Sequence, residues 1–363
     1  MDDMARQAFE MGVAKARAGD PTAAVAAFTE AMSRQPDWTM ARLNRGAAWF
    51  LAKNFPAALE DFDAVIVADP KSVDAYLNRS AVRRAAGDNA GADADLTRAT
   101  ELAPENPAVF HSRGSSRLRA GDPAGAEADF TRALQLNPKA VVSRVNRAAA
   151  RIQTGDLAGA LADCDESLAV EPKQRDGLVN RSTARILNRD YAGALADADA
   201  VLLLEPGAVE GLYMRGVARI GLEQFSPALA DLDEVVKKAP GLAAGWAARG
   251  NARYHLGDSA TAATDYREAF KLDGTAAARV ILRLVREQAK YRPTEVLAEC
   301  QKLRAKDRSD AISLARRGLT RIFQSRPADA NIDFSAFRKL VPADGAILDI
   351  LIAAAAKAEA SKK

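Results

Sequence analysis

The residues best suited to chemistry recur at one spacing. Arg45, Arg79, Arg113, Arg147, Arg181, Arg215, Arg249, Arg283 and Arg317 follow one another at a constant interval. A stripe of guanidiniums at one angular position suits phosphate groups or nucleic acid. An acidic column, however, runs in step with it. Asp61, Asp95, Asp129, Asp163, Asp197, Asp231, Asp265, Glu299 and Asp333 each follow an arginine at the same fixed offset. The first segment has Met11 and Ala27 at the equivalent places and lacks both charges. Paired gain and loss favours a salt bridge over the phosphate reading. A second column, Arg83, Arg117, Arg151, Arg185, Arg219, Arg253 and Arg321, lies one helical turn beyond the first, and no acid tracks it one for one. The favoured reading packs each stem beside Gly91, Gly125, Gly159 or Gly193, with the head on a carboxylate or helix C-terminus. Arg83, Arg117, Arg151, Arg185, Arg219 and Arg253 are nevertheless the better candidates for contact with an anion.

Catalysis has little material. Two histidines, His111 and His255, and two cysteines, Cys164 and Cys300, exclude a disulfide framework and a Cys-rich zinc site. No active site, metal or cofactor is expected, and the cysteines read as free buried thiols. Lys plus Arg number 51 against 48 Asp plus Glu, a net charge of +3. That balance is far from the one-sided excess of a dedicated nucleic-acid binder, so nucleic acid is the disfavoured partner. The N-terminal residues carry Asp2 and Asp3 with no basic or long apolar region, which points to the cytoplasm, or to export where a signal sequence has been removed. The most apolar stretch, residues 345–356, contains Asp349 and is too short to enter a bilayer as a spanning helix.

The elements that position these columns follow from the same period. Pro36, Pro70, Pro104, Pro138, Pro172, Pro206 and Pro240 are evenly spaced at that period, continued by Gly274 and Pro342. With proline as position 32, ten repeats run as 5–38, 39–72, 73–106, 107–140, 141–174, 175–208, 209–242, 243–276, 277–310 and 311–344. Position 20 is alanine except for Val296, and position 8 is Gly12, Gly46, Ser80, Gly114, Ala148, Ser182, Gly216, Gly250 and, in repeat ten, Gly318. Small residues at both places let two helices approach closely. Phe28, Phe62, Phe130, Leu134, Leu168 and Leu232 form the stripe of a helix with one buried face. Gly19-Asp20, Gly87-Asp88, Gly121-Asp122, Gly155-Asp156 and Gly257-Asp258 mark the turn, glycine ending one helix and aspartate capping the next.

On these residues the chain resembles the tetratricopeptide repeat family over residues 5–344. The resemblance implies an all-α, right-handed superhelical solenoid of antiparallel helix pairs, with the first helix of each pair lining a concave face. It implies binding and no reaction. Repeat nine, 277–310, is degenerate at Leu284, Glu287, Val296 and Arg308, and a kink or local disorder is expected there. Residues 345–363 read as a capping helix and tail, with Leu348, Ile350, Leu351 and Ile352 as its apolar face.

Family geometry places Asn44, Asn78, Asn146 and Asn180 at one concave position, interrupted by Ser112. A side-chain amide both donates and accepts, so such a ladder can hold a peptide backbone without reading its side chains. Leu77, Val145, Ile152, Val179, Ile186, Tyr213 and Tyr254 flank it as candidate contacts, although packing between first helices explains such residues equally well. The lysines of the family's clamp for chaperone tails are missing. The expected function is a non-catalytic scaffold that binds an extended protein segment in the groove. The rival is a polyanion or nucleic-acid binder using the second arginine column.

Overall fold

A glycine that ends one helix and an aspartate that starts the next force the chain to reverse, and in the computed structural model a helix lies on each side of every such turn. The structure describes residues 3–291, 294, 297, 298, 300, 301 and 311–360. Among them there is no strand, and no helix is long and apolar enough to cross a membrane. The chain divides into two compact units, Met1–Pro172 and Lys173–Lys363.

The described residues of unit 1 form α1 Asp3–Arg17, α2 Pro21–Arg34, α3 Thr39–Leu51, α4 Phe55–Ala68, α5 Val73–Ala85, α6 Asn89–Leu102, α7 Pro107–Arg119, α8 Pro123–Leu136, α9 Val141–Thr154 and α10 Leu157–Val170. Each odd-numbered helix packs on the even-numbered helix that follows it, and that helix packs on the next odd one. The turn chemistry is local. Asp20, Asp88, Asp122 and Asp156 accept hydrogen bonds from the third amide beyond them, satisfying a donor left open at the helix start. Gly19, Gly87, Gly121 and Gly155 have φ between +76° and +91°. Lys53 takes the same turn with φ of 60°, a conformation that disfavours a side chain.

Inside each pair, sizes compensate. A Cβ on Gly12, Gly46 or Gly114 would come within 2.6 to 2.9 Å of the facing phenylalanine, Phe28, Phe62 or Phe130. Where the first-helix residue is larger the facing one is smaller, as with Ala148 beside buried Cys164. The cysteine is thus a volume choice. Ala24, Ala58, Ala92, Ala126 and Ala160 are fully buried at the closest approach of the two helices.

Unit 2 begins with the same pairing: α11 Arg175–Leu187 with α12 Tyr191–Leu204, α13 Val209–Gly221 with α14 Phe225–Lys238, and α15 Ala243–His255 with the start of α16 Ser259–Tyr291. The proline ladder lapses at Gly274, and here no loop separates the helices. α16 runs on through a single non-helical residue, Asp273, whose carboxylate Oδ1 accepts from the amides of Thr275 and Ala276 and recaps the chain. Asp69, Asn137 and Glu205 end earlier second helices with similar φ and ψ, so Asp273 is the ordinary junction between pairs and not the kink expected within residues 277–310. Val296 and Arg308, the side chains of Leu284 and Glu287, and the expected Arg283–Glu299 pair lie outside the described residues.

Helices Ala311–Phe323 and Pro327–Leu340 form a further pair, followed by a 3-10 turn at Pro342–Asp344 and the last helix, Gly345–Ala360. Leu348, Leu351 and Ala355 of the last helix are buried, whereas Ile350 is exposed, contrary to its expected place on the apolar face. The helix packs on Ala311–Phe323 and Pro327–Leu340, and also folds back against α16. Arg267 of α16 holds that end, its Nε and Nη2 donating to the Asp344 carboxylate at 2.7 to 3.0 Å.

Candidate functional site

Where a helix pair carries both arginine columns, the two converge on one buried carboxylate. Arg79 Nε and Nη2 donate to the two oxygens of Asp95 at 3.0 and 2.5 Å, and Arg83 Nη1 lies 3.0 Å from Asp95 Oδ2. The same fork recurs with Asp129 between Arg113 and Arg117, and with Asp163 between Arg147 and Arg151. In unit 2, Asp197 receives Arg185, Asp231 receives Arg219 and Asp265 receives Arg253, each from Nη1 at 2.6 to 2.9 Å, beside its first-column partner. The six anion-contact candidates are corrected accordingly. Arg83, Arg117, Arg151, Arg185, Arg219 and Arg253 have their heads on an internal carboxylate, which a polyanion would have to displace. Arg83, Arg151 and Arg185 also donate to the carbonyls of Gly91, Gly159 and Gly193, and a Cβ on any of these glycines would lie 3.0 to 3.1 Å from the arginine stem.

A further acceptor went unread in the sequence. Arg79 Nη1 donates to Asp63 of the preceding pair at 2.6 Å, Arg215 to Asp199 at 3.1 Å and Arg249 to Asp233 at 3.0 Å, while Thr29 and Thr131 take the same role for Arg45 and Arg147. The first-column arginines thus tie successive pairs together. Burial works to lower the Arg79 pKa, but hydrogen bonds to Asp95 and Asp63 outweigh it and the net shift is upward.

The asparagines of unit 1 lie on the first helices α3, α5 and α9. Asn44 Nδ2 donates to the Met40 carbonyl at 2.8 Å and Asn78 Nδ2 to that of Asp74 at 2.9 Å, one turn back on their own helices. Asn146 Nδ2 reaches Ser115 Oγ of the neighbouring first helix at 3.5 Å. All three are half-buried, as are Leu77 and Ile152, but Val145 is only 2% exposed. His111 Nδ1 lies 2.9 Å from Ser143 Oγ across the α7–α9 contact. Burial and then the charge of Arg119 lower its pKa.

In unit 2, Asn180, Val179 and Tyr213 are half-buried on first helices, while Ile186 is 4% and Tyr254 0% exposed. Val145, Ile186 and Tyr254 are therefore packing residues, and their assignment as ligand contacts is corrected. Tyr254 is covered by helix Ala311–Phe323. Its hydroxyl meets Ser313 Oγ at 2.9 Å and Cys300 Sγ at 3.5 Å, and the buried Arg316 guanidinium lies 4.2 Å from its ring. Arg316 also donates to Asn251 Oδ1 at 2.9 Å and lies 3.3 Å from His255 Nε2, while His255 stacks on Phe225. This first-helix surface of α15 is thus occupied by the chain itself. Beside it, Tyr266, Phe270, Ile281, Leu319, Phe337 and Leu348 line a cavity of about 310 Å³. Among the described residues no group of His, Cys, Asp and Glu could hold a metal ion.

Known proteins place this geometry. The model of the tetratricopeptide repeat matches residues 9–73, 111–176 and 213–277, together more than half of the chain. No curated protein matches. Among solved structures, a tetratricopeptide repeat protein from Parabacteroides merdae ATCC 43184 is similar with a TM-score of 0.53 at 18% identity, over 65% of this chain and 93% of that one. A structure of the APC/C hetero-tetramer Cut9–Hcn1 gives 0.56 at 14% identity, over 73% of this chain and 54% of the other. PilW, a widely conserved type IV pilus biogenesis factor, gives 0.52 at 17%, over 56% and 94%. At these identities the likeness shows the fold alone, whereas the matched repeats show the family. The chain belongs to the tetratricopeptide repeat family, whose generally non-catalytic arrays mediate protein–protein interactions.

Proposed function

We propose that unit 1 binds an extended segment of a partner protein along its first-helix face, with Asn44, Asn78 and Asn146 holding the segment's backbone. The observation that carries this reading is the pinning of Asn44 and Asn78. One amide N–H of each is tied to its own helix. The side-chain oxygen and second N–H are then preorganised, and ordering them costs little on binding. Peptide groups recur regularly along a strand, so a ladder of amides grips many sequences, while Leu77 and Ile152 select among side chains. Asn180, with Val179 and Tyr213, offers the same chemistry in unit 2. Specificity is broad, and no reaction is assigned to the chain.

The test is a panel of extended peptides selected by display on the full chain and then titrated calorimetrically. Replacing Asn44, Asn78 and Asn146 by alanine should weaken binding by about 1.5 to 4.5 kcal/mol, at roughly 0.5 to 1.5 per hydrogen bond. The melting temperature should hold. Full affinity in a folded triple variant would move the site to another face.

A further inference from the structure

In an array that repeats its packing, space opens where a repeated side chain is withheld. One residue beyond the buried alanine of each earlier second helix stands a larger residue: Val25, Leu59, Asp93, Glu127, Leu161, Leu195 or Leu229. At that place α16 carries Ala263, next to buried Ala262. Ala263 lines the cavity of about 310 Å³ in unit 2, and Ala315, a second small residue, lines it from helix Ala311–Phe323.

The walls come from helices that meet out of the ordinary order. α16 packs on helix Ala311–Phe323 and on the last helix, Gly345–Ala360, which folds back over it, and all of these contribute to the lining. Most of the lining is alanine, isoleucine, leucine and phenylalanine. Leu319 and Leu348, each 1% exposed, are buried walls, whereas Ala260 and Arg267 are exposed and mark the mouth. The charged groups of the lining are already used inside the fold. Arg267 and Asp344 hold each other at 2.7 to 3.0 Å, and buried Arg316 donates to Asn251 and lies over the Tyr254 ring. An apolar void forfeits the dispersion contacts of its lining, and close-packed interiors hold few voids larger than a water molecule. An engineered apolar cavity of about 150 Å³ stays dry and takes up benzene. The cavity of unit 2 is larger than that and reaches the lower edge of ligand pockets, about 300 to 1,000 Å³.

We propose that this cavity is a binding site for an uncharged, mainly hydrocarbon small molecule of about ten heavy atoms, at roughly 30 Å³ for each water-sized group. The hydrocarbon body takes the space that Ala263 leaves open, and its one polar group stays at the mouth beside Arg267. A carboxylate there would have to displace Asp344 from Arg267, and an ammonium would have to displace Arg267 from Asp344. Charge on the ligand is therefore selected against. The site lies within unit 2 and is independent of the peptide face of unit 1.

The experiment titrates the full chain calorimetrically with octan-1-ol, octanoate and octyltrimethylammonium. Octan-1-ol should bind as one molecule per chain, about tenfold or more tighter than either ion. Ala263→Leu, which restores the residue found at Leu59 and Leu229, should weaken octan-1-ol by about tenfold or more and raise the melting temperature of the ligand-free chain, because the leucine fills the ligand's place. Ala315→Leu fills the cavity from the facing helix and carries the same comparison should Ala263→Leu fail to fold by circular dichroism. No binding of octan-1-ol to the wild type would leave a packing void and overturn the site. Undiminished binding in a folded filling variant would put the alcohol elsewhere on the chain and overturn it equally. Octanoate binding tighter than octan-1-ol would overturn the uncharged occupant in favour of an anionic acyl chain.

Discussion

Removing the shared acid of a helix pair should cost more than removing either arginine, and the Asp231 pair of unit 2 permits the comparison. Arg215 Nη2 lies 2.7 Å from Asp231 Oδ1 and its Nε 3.0 Å from Oδ2, while Arg219 Nη1 lies 2.7 Å from Oδ2. The carboxylate side chain is 5% exposed, the arginines 24% and 23%. Asp231→Ala leaves Arg219 with the Pro227 carbonyl at 3.3 Å and Arg215 with half-exposed Asp199. A buried pair broken on one side loses about 3 to 5 kcal/mol, and that is the expected loss. Arg219→Ala leaves the acid its two bonds to Arg215 and should cost about 1.5 to 3 kcal/mol, the range of one charge-assisted hydrogen bond. Urea unfolding followed by circular dichroism at constant m gives both values. The double variant should lose less than the sum, with a coupling of about 1 to 3 kcal/mol. If Asp231→Ala is no worse than Arg219→Ala, or the losses add, the shared-carboxylate account is wrong.

Gly46→Ala places a methyl 2.8 Å from Phe62 Cε1 and 3.2 Å from Asp61 Cβ. Overpacking of about 1 to 3 kcal/mol should outweigh the roughly 1 kcal/mol gained in helix propensity, so the melting temperature falls, and Phe62→Leu in the same chain should restore part of it. Lys53→Gly, at a φ of 60°, should stabilise by about 1 kcal/mol in a urea titration, because the left-handed conformation penalises any side chain. His111 has its folded pKa depressed below its ordinary 6.5 by burial and by Arg119. Its contribution is therefore intact above pH 6.5 and is lost as pH falls from there through the folded value. The midpoint of urea unfolding should show a slope in that window that His111→Gln removes.

The hairpin was legible because each of its causes is local and recurs. Gly-Asp sets the turn, proline separates the pairs, and small residues mark the close approach, so element type and order follow from spacing. The first-column pairing with aspartate was also legible, since both members vanish together in the first segment. What escaped was sharing. No acid tracks the second-column arginines one for one, but a carboxylate has two oxygens, and Asp95, Asp163 and Asp231 each take two guanidiniums. The bridges to Asp63, Asp199 and Asp233 escaped because the partner lies in the preceding pair. Tyr254 escaped for a longer-range reason. It follows the pattern of a groove residue, yet helix Ala311–Phe323, far along the chain, lies over it.

Recurrence and function consequently separate. A residue type that returns in every repeat does so because every hairpin needs it: the arginines meet a carboxylate inside the pair, the alanines its closest approach, and the glycines a facing ring or a left-handed turn. Being satisfied within the fold, these residues have little left to offer a partner. The proposed binding face therefore draws on first-helix positions whose polar groups are only partly used within the fold, Asn44 and Asn78. Arg267, where earlier second helices carry Thr or Asp, breaks the period and is repaid inside unit 2 by the Asp344 contact.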